Sequence, residues 1–279
     1  MNLVLTLCML IEPESSFNHK LVTLDRAFAK RSLEIGYVAA FGEFVFPNGI
    51  LFEPQPVHLD VWTERRKDAK GTLDWGPTLV GSSLAKDMGY TSGPWTMTGP
   101  DGQKAFGHYV SIWKMESTGE PKVIADIGIQ HKPLDSDSKL EQAAKSCSVE
   151  GVPDLEIGYD QEKTKLVKAD GAFMEAQKLD PIHAYELHTD YQLHWYRNGR
   201  QPIHGQLDVL DVLKPELDRD SKFESFEILG FDLAESKEFG YTLGKMTVLE
   251  SGSQKEHHYL RVWKKSYDGA WLVALEVLL

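Results

Sequence analysis

Only two cysteines, Cys8 and Cys147, occur in 279 residues. They exclude a disulfide framework, and neither belongs to a C-x-x-C or other metal-ligating spacing. Basic residues are also in deficit: 30 Lys and Arg stand against 42 Asp and Glu, a formal net charge of −12. That balance supplies no basic face for nucleic acid, whose binding starts with phosphate neutralisation. It gives no attraction to anionic membrane surfaces either. No apolar run is long enough to span a membrane as a helix. A phosphate loop, a G-x-G-x-x-G element after a strand, a G-x-S-x-G elbow and an H-E-x-x-H pair are all lacking. No cofactor is therefore expected. The histidines of the second half (His183, His188, His194 and His204) have no ligand spacing, and no metal is expected on them.

What remains has the composition of an ordinary globular protein, 42% hydrophobic and 26% charged. The first eleven residues, MNLVLTLCMLI, are almost entirely apolar, and EPESS follows. Two readings stand side by side. The segment is the remnant of a signal peptide without its basic start, which makes the protein periplasmic or secreted, or it is a hydrophobic tail of a cytoplasmic protein.

The chain repeats itself. Leu21-Val22-Thr23-Leu24-Asp25-Arg26-Ala27-Phe28 matches Leu166-Val167-Lys168-Ala169-Asp170-Gly171-Ala172-Phe173, an offset of 145. Gly89-Tyr90-Thr91 returns as Gly240-Tyr241-Thr242 at offset 151, and His108-Tyr109-x-x-x-Trp113 as His258-Tyr259-x-x-x-Trp263 at offset 150. A period this long is that of a duplicated domain and not of a solenoid. The expected organisation is a signal remnant or tail over 1–15, a first domain over 16–133, a polar linker over 134–161 and a diverged second domain over 162–279.

Within the first copy, Ser15 or Ser16 can cap a helix whose stripe is Phe17, Leu21, Leu24 and Phe28. A short helix through Tyr37, Phe41 and Phe44 follows, then a turn at Pro47-Asn48-Gly49 and several strands. Two-residue turns at Thr118-Gly119 and Asp268-Gly269 set the final hairpins. They pair Ser111 with Asp126, His108 with Ile129, Arg261 with Glu276 and His258 with Leu279. Alternation then places Val110, Ile112, Val123, Ala125, Ile127 and Ile129 on one face, and Leu260, Val262, Val273, Leu275 and Val277 on its counterpart. These aliphatic faces are expected to pack on the helices. The opposite faces, with Tyr109, Ser111, Trp113 and Asp126 or Tyr259, Arg261, Trp263 and Glu276, are expected between the sheets or half-solvated.

Helices followed by a curved antiparallel sheet that ends in a long hairpin resemble the ketosteroid isomerase and SnoaL-like (nuclear transport factor two-like) superfamily, in the branch that is mostly of unknown function. The likeness is carried by Asp25-x-x-Phe28, Gly49-Ile50-Leu51-Phe52-x-Pro54, Leu73-Asp74-Trp75-Gly76-Pro77, Asp87-Met88-Gly89-Tyr90-Thr91, Gly107-His108-Tyr109-x-x-x-Trp113 and Ala125-Asp126. It implies an α+β fold of two tandem cone-shaped domains, each with N-terminal helices on a curved sheet around an apolar cavity. It also implies dimer-like pairing through the sheets, here inside one chain, with Tyr109 and Trp113 facing Tyr259 and Trp263.

Three functions stay open. The first is binding of a small apolar or amphipathic ligand in the first cone, with Trp75, Tyr90, Trp95 and His108 as pocket residues. The second is a cofactor-independent isomerase, cyclase or dehydratase, in which His108 or Asp126 acts as base and Tyr90 as oxyanion donor. The third is a structural or protein-interaction module with a filled cone.

Overall fold

The computed structural model describes residues 17–133, 145–146, 157–216, 221–250 and 252–279. The apolar start, both cysteines, the Ser15 or Ser16 cap and most of the 134–161 linker lie outside the described residues.

In the first half, α1 (Phe17–Ile35) buries Phe17, Leu21 and Phe28 of its expected stripe, with Leu24 half-buried, and α2 (Tyr37–Phe44) follows across Gly36. Then come β1 (Val45–Phe52), β2 (Pro56–His58), α3 (Leu59–Arg66), β3 (Thr72–Trp75) and β4 (Leu79–Ser82). The long strands are β5 (Met88–Thr98), β6 (Lys104–Met115) and β7 (Pro121–His131), with a two-residue β8 (Lys145–Ser146) joining the edge beyond β4. The sheet runs β2-β1-β7-β6-β5-β4-β8, and β3 also pairs with β5.

The second half repeats this order: α4 (Tyr159–Leu179), α5 (Pro181–His188), β9 (Thr189–Arg197), β10 (Ile203–His204), α6 (Gln206–Leu213), a single 3-10 turn (Lys214–Glu216), β11 (Ser221–Leu233), β12 (Phe239–Glu250), β13 (Ser253–Lys265) and β14 (Trp271–Leu278). Its sheet runs β10-β9-β14-β13-β12-β11. Asp180 caps α5 by accepting from the His183 amide at 3.1 Å, with Pro181 in the first helical position. In both halves the first strand pairs in parallel with the last, which curls the sheet around the helices. The fold is α+β, with one helix-covered sheet in each half.

Several expectations change. Pro47-Asn48-Gly49 is a bulge inside β1, since the pairing jumps from Val45 with Val123 to Ile50 with Ala125. The hairpin partners are those expected (Ser111 with Asp126, Arg261 with Glu276), but two opposite one-residue effects produce them. The turns are not type I′: only Gly119 and Gly269 have positive φ, each 88°, as in the longer loop that ends in a left-handed glycine. That loop shifts the register by one residue. A bulge between Ile112 and Trp113, matched between Val262 and Trp263, shifts it back. Past the bulge, Val123 sits beside Trp113 and Val273 beside Trp263, on the face opposite to the one expected for these valines.

The larger correction concerns what each face meets. Val110, Ile112, Ala125, Ile127 and Ile129 pack on Leu243, Leu260, Val262, Leu275 and Val277 of the other sheet, and Tyr90 stacks on Phe239 at 6.3 Å. The aliphatic faces therefore meet each other and not the helices. Tyr109, Trp113, Tyr259 and Trp263 are not at this contact; they point into the two helix-covered interiors. Tyr109 donates to Asp25 of α1, and Tyr259 to Asp170 of α4. Trp113 and Trp263 donate to Thr91 and Thr242 at 2.7 and 2.9 Å. Shape is the reason: flat aliphatic faces can stack sheet on sheet, whereas the wedge between a curved sheet and its helices needs large rings that carry a polar handle.

Two polar contacts between the halves are reciprocal. The Leu84 amide donates to Glu238 at 2.7 Å, and the Glu235 amide donates to Asp87 at 2.9 Å. At the repeat offset of 151 these are the same contact seen from either side. Ser92 donates to Tyr196 at 3.0 Å, and Lys114 pairs with Asp232.

Ile127 is 1% exposed at the centre of this contact. Ile127→Asp should lower the unfolding free energy by about 3–5 kcal/mol, the range for an unpaired buried charge. A urea melt with an unchanged midpoint would refute the packing described here.

Candidate functional site

The two helix-covered interiors use equivalent residues to opposite effect. In the second half, Asp170 of α4 and Glu276 of β14 face each other across Arg261 of β13. The Arg261 guanidinium lies 2.5 Å from Asp170 and 2.8 Å from Glu276, over the rings of Tyr259 (4.1 Å) and Phe173 (4.7 Å). Glu276 also accepts from Arg197 at 2.5 Å and from Tyr185. Burial alone would raise the Glu276 carboxyl, but Arg197 and Arg261 outweigh it and bring it down to about 2. Arg261 is 0% exposed, so its side chain fills this interior.

In the first half the corresponding residues are Asp25, Asp126 and Ser111. Serine leaves the arginine's space open, and a cavity of about 310 Å³ remains. Phe28, Phe41, Trp62, Trp75, Trp95 and Tyr109 form its aromatic wall. Trp95 reaches that position because two glycines clear the sheet beneath it. A Cβ on Gly107 would lie 2.4 Å from the indole, and one on Gly128 3.4 Å. Arg66 stands at the rim, paired with Glu53 and 4.6 Å over the Trp62 ring.

Asp126 lies in the floor of the cavity, and Asp25, fully buried, lies behind its Tyr109 and Trp75 walls. Asp25 accepts from Tyr109 at 2.5 Å and from the Trp75 indole at 2.8 Å. Among the described residues, Asp126 takes one hydrogen bond, from Ser111 at 2.5 Å. Asp126 keeps some accessible surface, but it belongs to the cavity lining, and the walls shield the carboxyl from bulk water. Burial raises the Asp126 carboxyl; the Ser111 hydroxyl opposes this, Asp25 adds to it, and the result is about 7. Burial likewise raises Asp25, against the donors Tyr109, Trp75 and Thr91.

The candidates from the sequence divide between the two sheet faces. Trp75 and Trp95 line the cavity, together with Asp126, which had been expected on the outer or inter-sheet face. Tyr90 is not there, being packed between the sheets. His108 is also on that side, 2.7 Å from His131 and 6.3 Å from the Tyr196 ring. Burial, then His131 and His204, lower the His108 imidazole to about 3, so it stays neutral at ordinary pH. His108 and Asp126 thus stand on opposite faces, and no joint site of His108, Tyr90 and Asp126 exists. His258, the counterpart of His108, is buried and lowered in the same sense by burial.

Sequence reasoning missed Asp25 and Ser111, and it expected Tyr109 at the interface between the halves, not in the cavity wall. A signal was present: Asp25 lies inside the apolar stripe of a helix, and the repeat pairs Ser111 with Arg261. A second cavity, of about 380 Å³, opens between the halves near His58, Lys114, Asp232 and Tyr241. Its one carboxylate is already engaged, since Lys114 and Lys163 both pair with Asp232.

No family model and no curated protein matches the chain in sequence. Among solved structures it is similar to a ketosteroid isomerase-like protein from Erwinia carotovora atroseptica, at 17% identity over 43% of this chain and 96% of that one, with a TM-score of 0.39. It is similar to an NTF2-like protein of unknown function from Shewanella oneidensis, at 15% identity over 42% and 97%, with a TM-score of 0.36. A Catenulispora acidiphila structure in complex with S-DNPA matches at 12% identity over 43% and 92%, with a TM-score of 0.37.

The two acid sites should respond oppositely to substitution. Asp126 has its pKa raised from 3.8 to about 7, so the folded state holds this proton more tightly than the unfolded state does. Its contribution is complete below about pH 4 and is lost as pH rises through about 7. Asp126→Asn should therefore raise the thermal midpoint near pH 8 by several degrees and change it little near pH 4. An equal effect at both pH values would contradict the assigned environment. In the second half, Arg261→Met strands Asp170 and should cost about 3–5 kcal/mol in a denaturant melt. A neutral outcome would show that the ion network is not what holds that interior.

Proposed function

We propose that the protein binds a small, largely apolar molecule with one polar group in the interior of its first half, and that the second half supports it as a filled partner. The halves, read as domains over 16–133 and 162–279, pair as an intramolecular pseudo-dimer through their aliphatic sheet faces. One observation carries the reading: where Arg261 closes the second interior, Ser111 leaves the first one open, walled by aromatics and floored by a carboxyl that has a single hydrogen-bond donor. A volume of about 310 Å³ lies at the small end of the usual range for ligand pockets, roughly 300–1,000 Å³. The polar floor orients a ligand and the rings supply contact area.

A second reading is favoured by the acidity of Asp126. A shielded carboxylate near neutral pKa is suited to remove a proton beside a carbonyl. This version uses Asp126 alone, without His108 or Tyr90.

The deciding experiment is saturation-transfer NMR on the full chain with naphthylmethanol and related one- and two-ring alcohols, ketones and amines. Saturable binding is expected, and it should disappear in Ala105→Phe, which fills the cavity from β6. No saturable signal from any compound, together with no adduct in native mass spectrometry, would overturn the reading. Exchange of α-protons of a bound cyclic ketone into deuterated water, lost in Asp126→Asn, would establish the catalytic version.

A further inference from the structure

We propose that the ligand of the first interior is an organic cation, an ammonium or guanidinium group on a ring-sized apolar body, seated where Arg261 lies in the second half. This deepens the binding reading above and rests on it.

The second half shows what this set of residues is built to surround. Asp170, Glu276, Tyr259 and Phe173 enclose a guanidinium: two carboxylates grip it in the plane, and two rings cover its faces. The first half keeps each member of that set. Asp25 and Phe28 stand on α1 as Asp170 and Phe173 do on α4; Tyr109 and Asp126 occupy the strand positions of Tyr259 and Glu276. The guanidinium is missing, because Ser111 takes the place of Arg261; the Trp75 indole supplies the bond to the helix acid, and Asp126 is left with Ser111 alone among the described residues. The first interior is thus a cation seat from which the cation has been removed.

The charges agree. In the second half two carboxylates, Asp170 and Glu276, are met by two arginines, Arg261 and Arg197. In the first half, among the described residues, no lysine or arginine hydrogen-bonds or ion-pairs with Asp25 or Asp126; Arg26, the next residue on α1, acts on Asp25 only through its charge. The donors to Asp25 are Tyr109 and Trp75, and the donor to Asp126 is Ser111, all neutral. The one cation in the lining, Arg66, is engaged at the rim by Glu53 and Trp62. Two shielded carboxyls without a paired counter-charge are costly when ionised, and a bound cation removes that cost. The indole and phenol faces add to the preference, since aromatic walls around an acid are a general device for holding ammonium groups. A ketone, which only accepts, could bond Asp126 only in its protonated form, and an alcohol can donate to the carboxylate but brings no counter-charge. The elevated Asp126 carboxyl, at about 7, fits a site that awaits its counter-ion.

The test is isothermal titration calorimetry of the full chain with naphthylmethylamine and its neutral isostere naphthylmethanol. Near pH 8, where Asp126 is ionised, the amine should bind tighter than the alcohol by about tenfold or more. Near pH 5 the ratio should fall, as Asp126 takes up its proton. The other ionisable groups lining the cavity are Tyr109, Tyr37 and, at the rim, Arg66; Asp25 lies behind Tyr109 and Trp75, and Glu53 pairs with Arg66. Asp126→Asn should shrink the ratio near pH 8 to within about threefold. Ser111→Arg should abolish amine binding while raising the thermal midpoint, because the new guanidinium would occupy the seat; the rise separates a filled site from a misfolded protein. If the alcohol binds as well as the amine near pH 8, the cation inference fails and the binding reading stands. If neither binds, both fail.

Discussion

The packing of Val110, Ile112, Ala125, Ile127 and Ile129 on Leu243, Leu260, Val262, Leu275 and Val277 covers the central strands of both sheets and leaves solvent to the edge, where Leu229 and Phe231 of β11 are exposed. One face of each sheet carries its helices, and the other carries the second sheet. Apolar side chains on both faces are what such burial requires, and each half then needs the other to keep its outer face dry. The reciprocal contacts of Leu84 with Glu238 and Glu235 with Asp87 show that duplication gave the chain a self-complementary surface which it uses on itself.

With that contact supplying stability, the two interiors were free to diverge. The second became a charged core of Arg261, Asp170 and Glu276, with Arg197 and Tyr185 completing the shell around Glu276. Burying this many charges is tolerable only because nearly every one is matched and hydrogen-bonded. The first interior has both acids and a serine in the arginine's position. The same positions that make a closed core in one half make an open, acidic, aromatic cavity in the other.

This division of labour ties the chemistry to one side of the molecule. His108, the most conspicuous titratable group of the repeat, lies at the sheet–sheet contact, where burial keeps it neutral. Asp126, one strand away, faces the cavity, and the same physical effect keeps it near neutrality from the opposite direction. Desolvation disfavours whichever form is charged, so it lowers an imidazole and raises a carboxyl.

The linear order of residues by itself determined the duplication, the helices that open each half, the strand pairing of the final hairpins and the partnership of Arg261 with Glu276. These follow from local spacing: 3.6-residue stripes, two-residue alternation and short loops act between neighbours in the chain. Tertiary structure alone decided what each sheet face meets. Alternation separates an aliphatic face from one bearing Tyr109, Ser111 and Asp126, but both kinds are buried, and hydrophobicity does not rank a helix above a second sheet as the neighbour. The bulge after Ile112 was equally invisible, since a compensating turn gave the same register. For the site, the sequence supplied Trp75, Trp95 and Asp126 as names. Their convergence with Asp25, and the separation of His108 and Tyr90 from them, arise from curvature, which brings α1 over one face of the sheet and leaves the other for the second half.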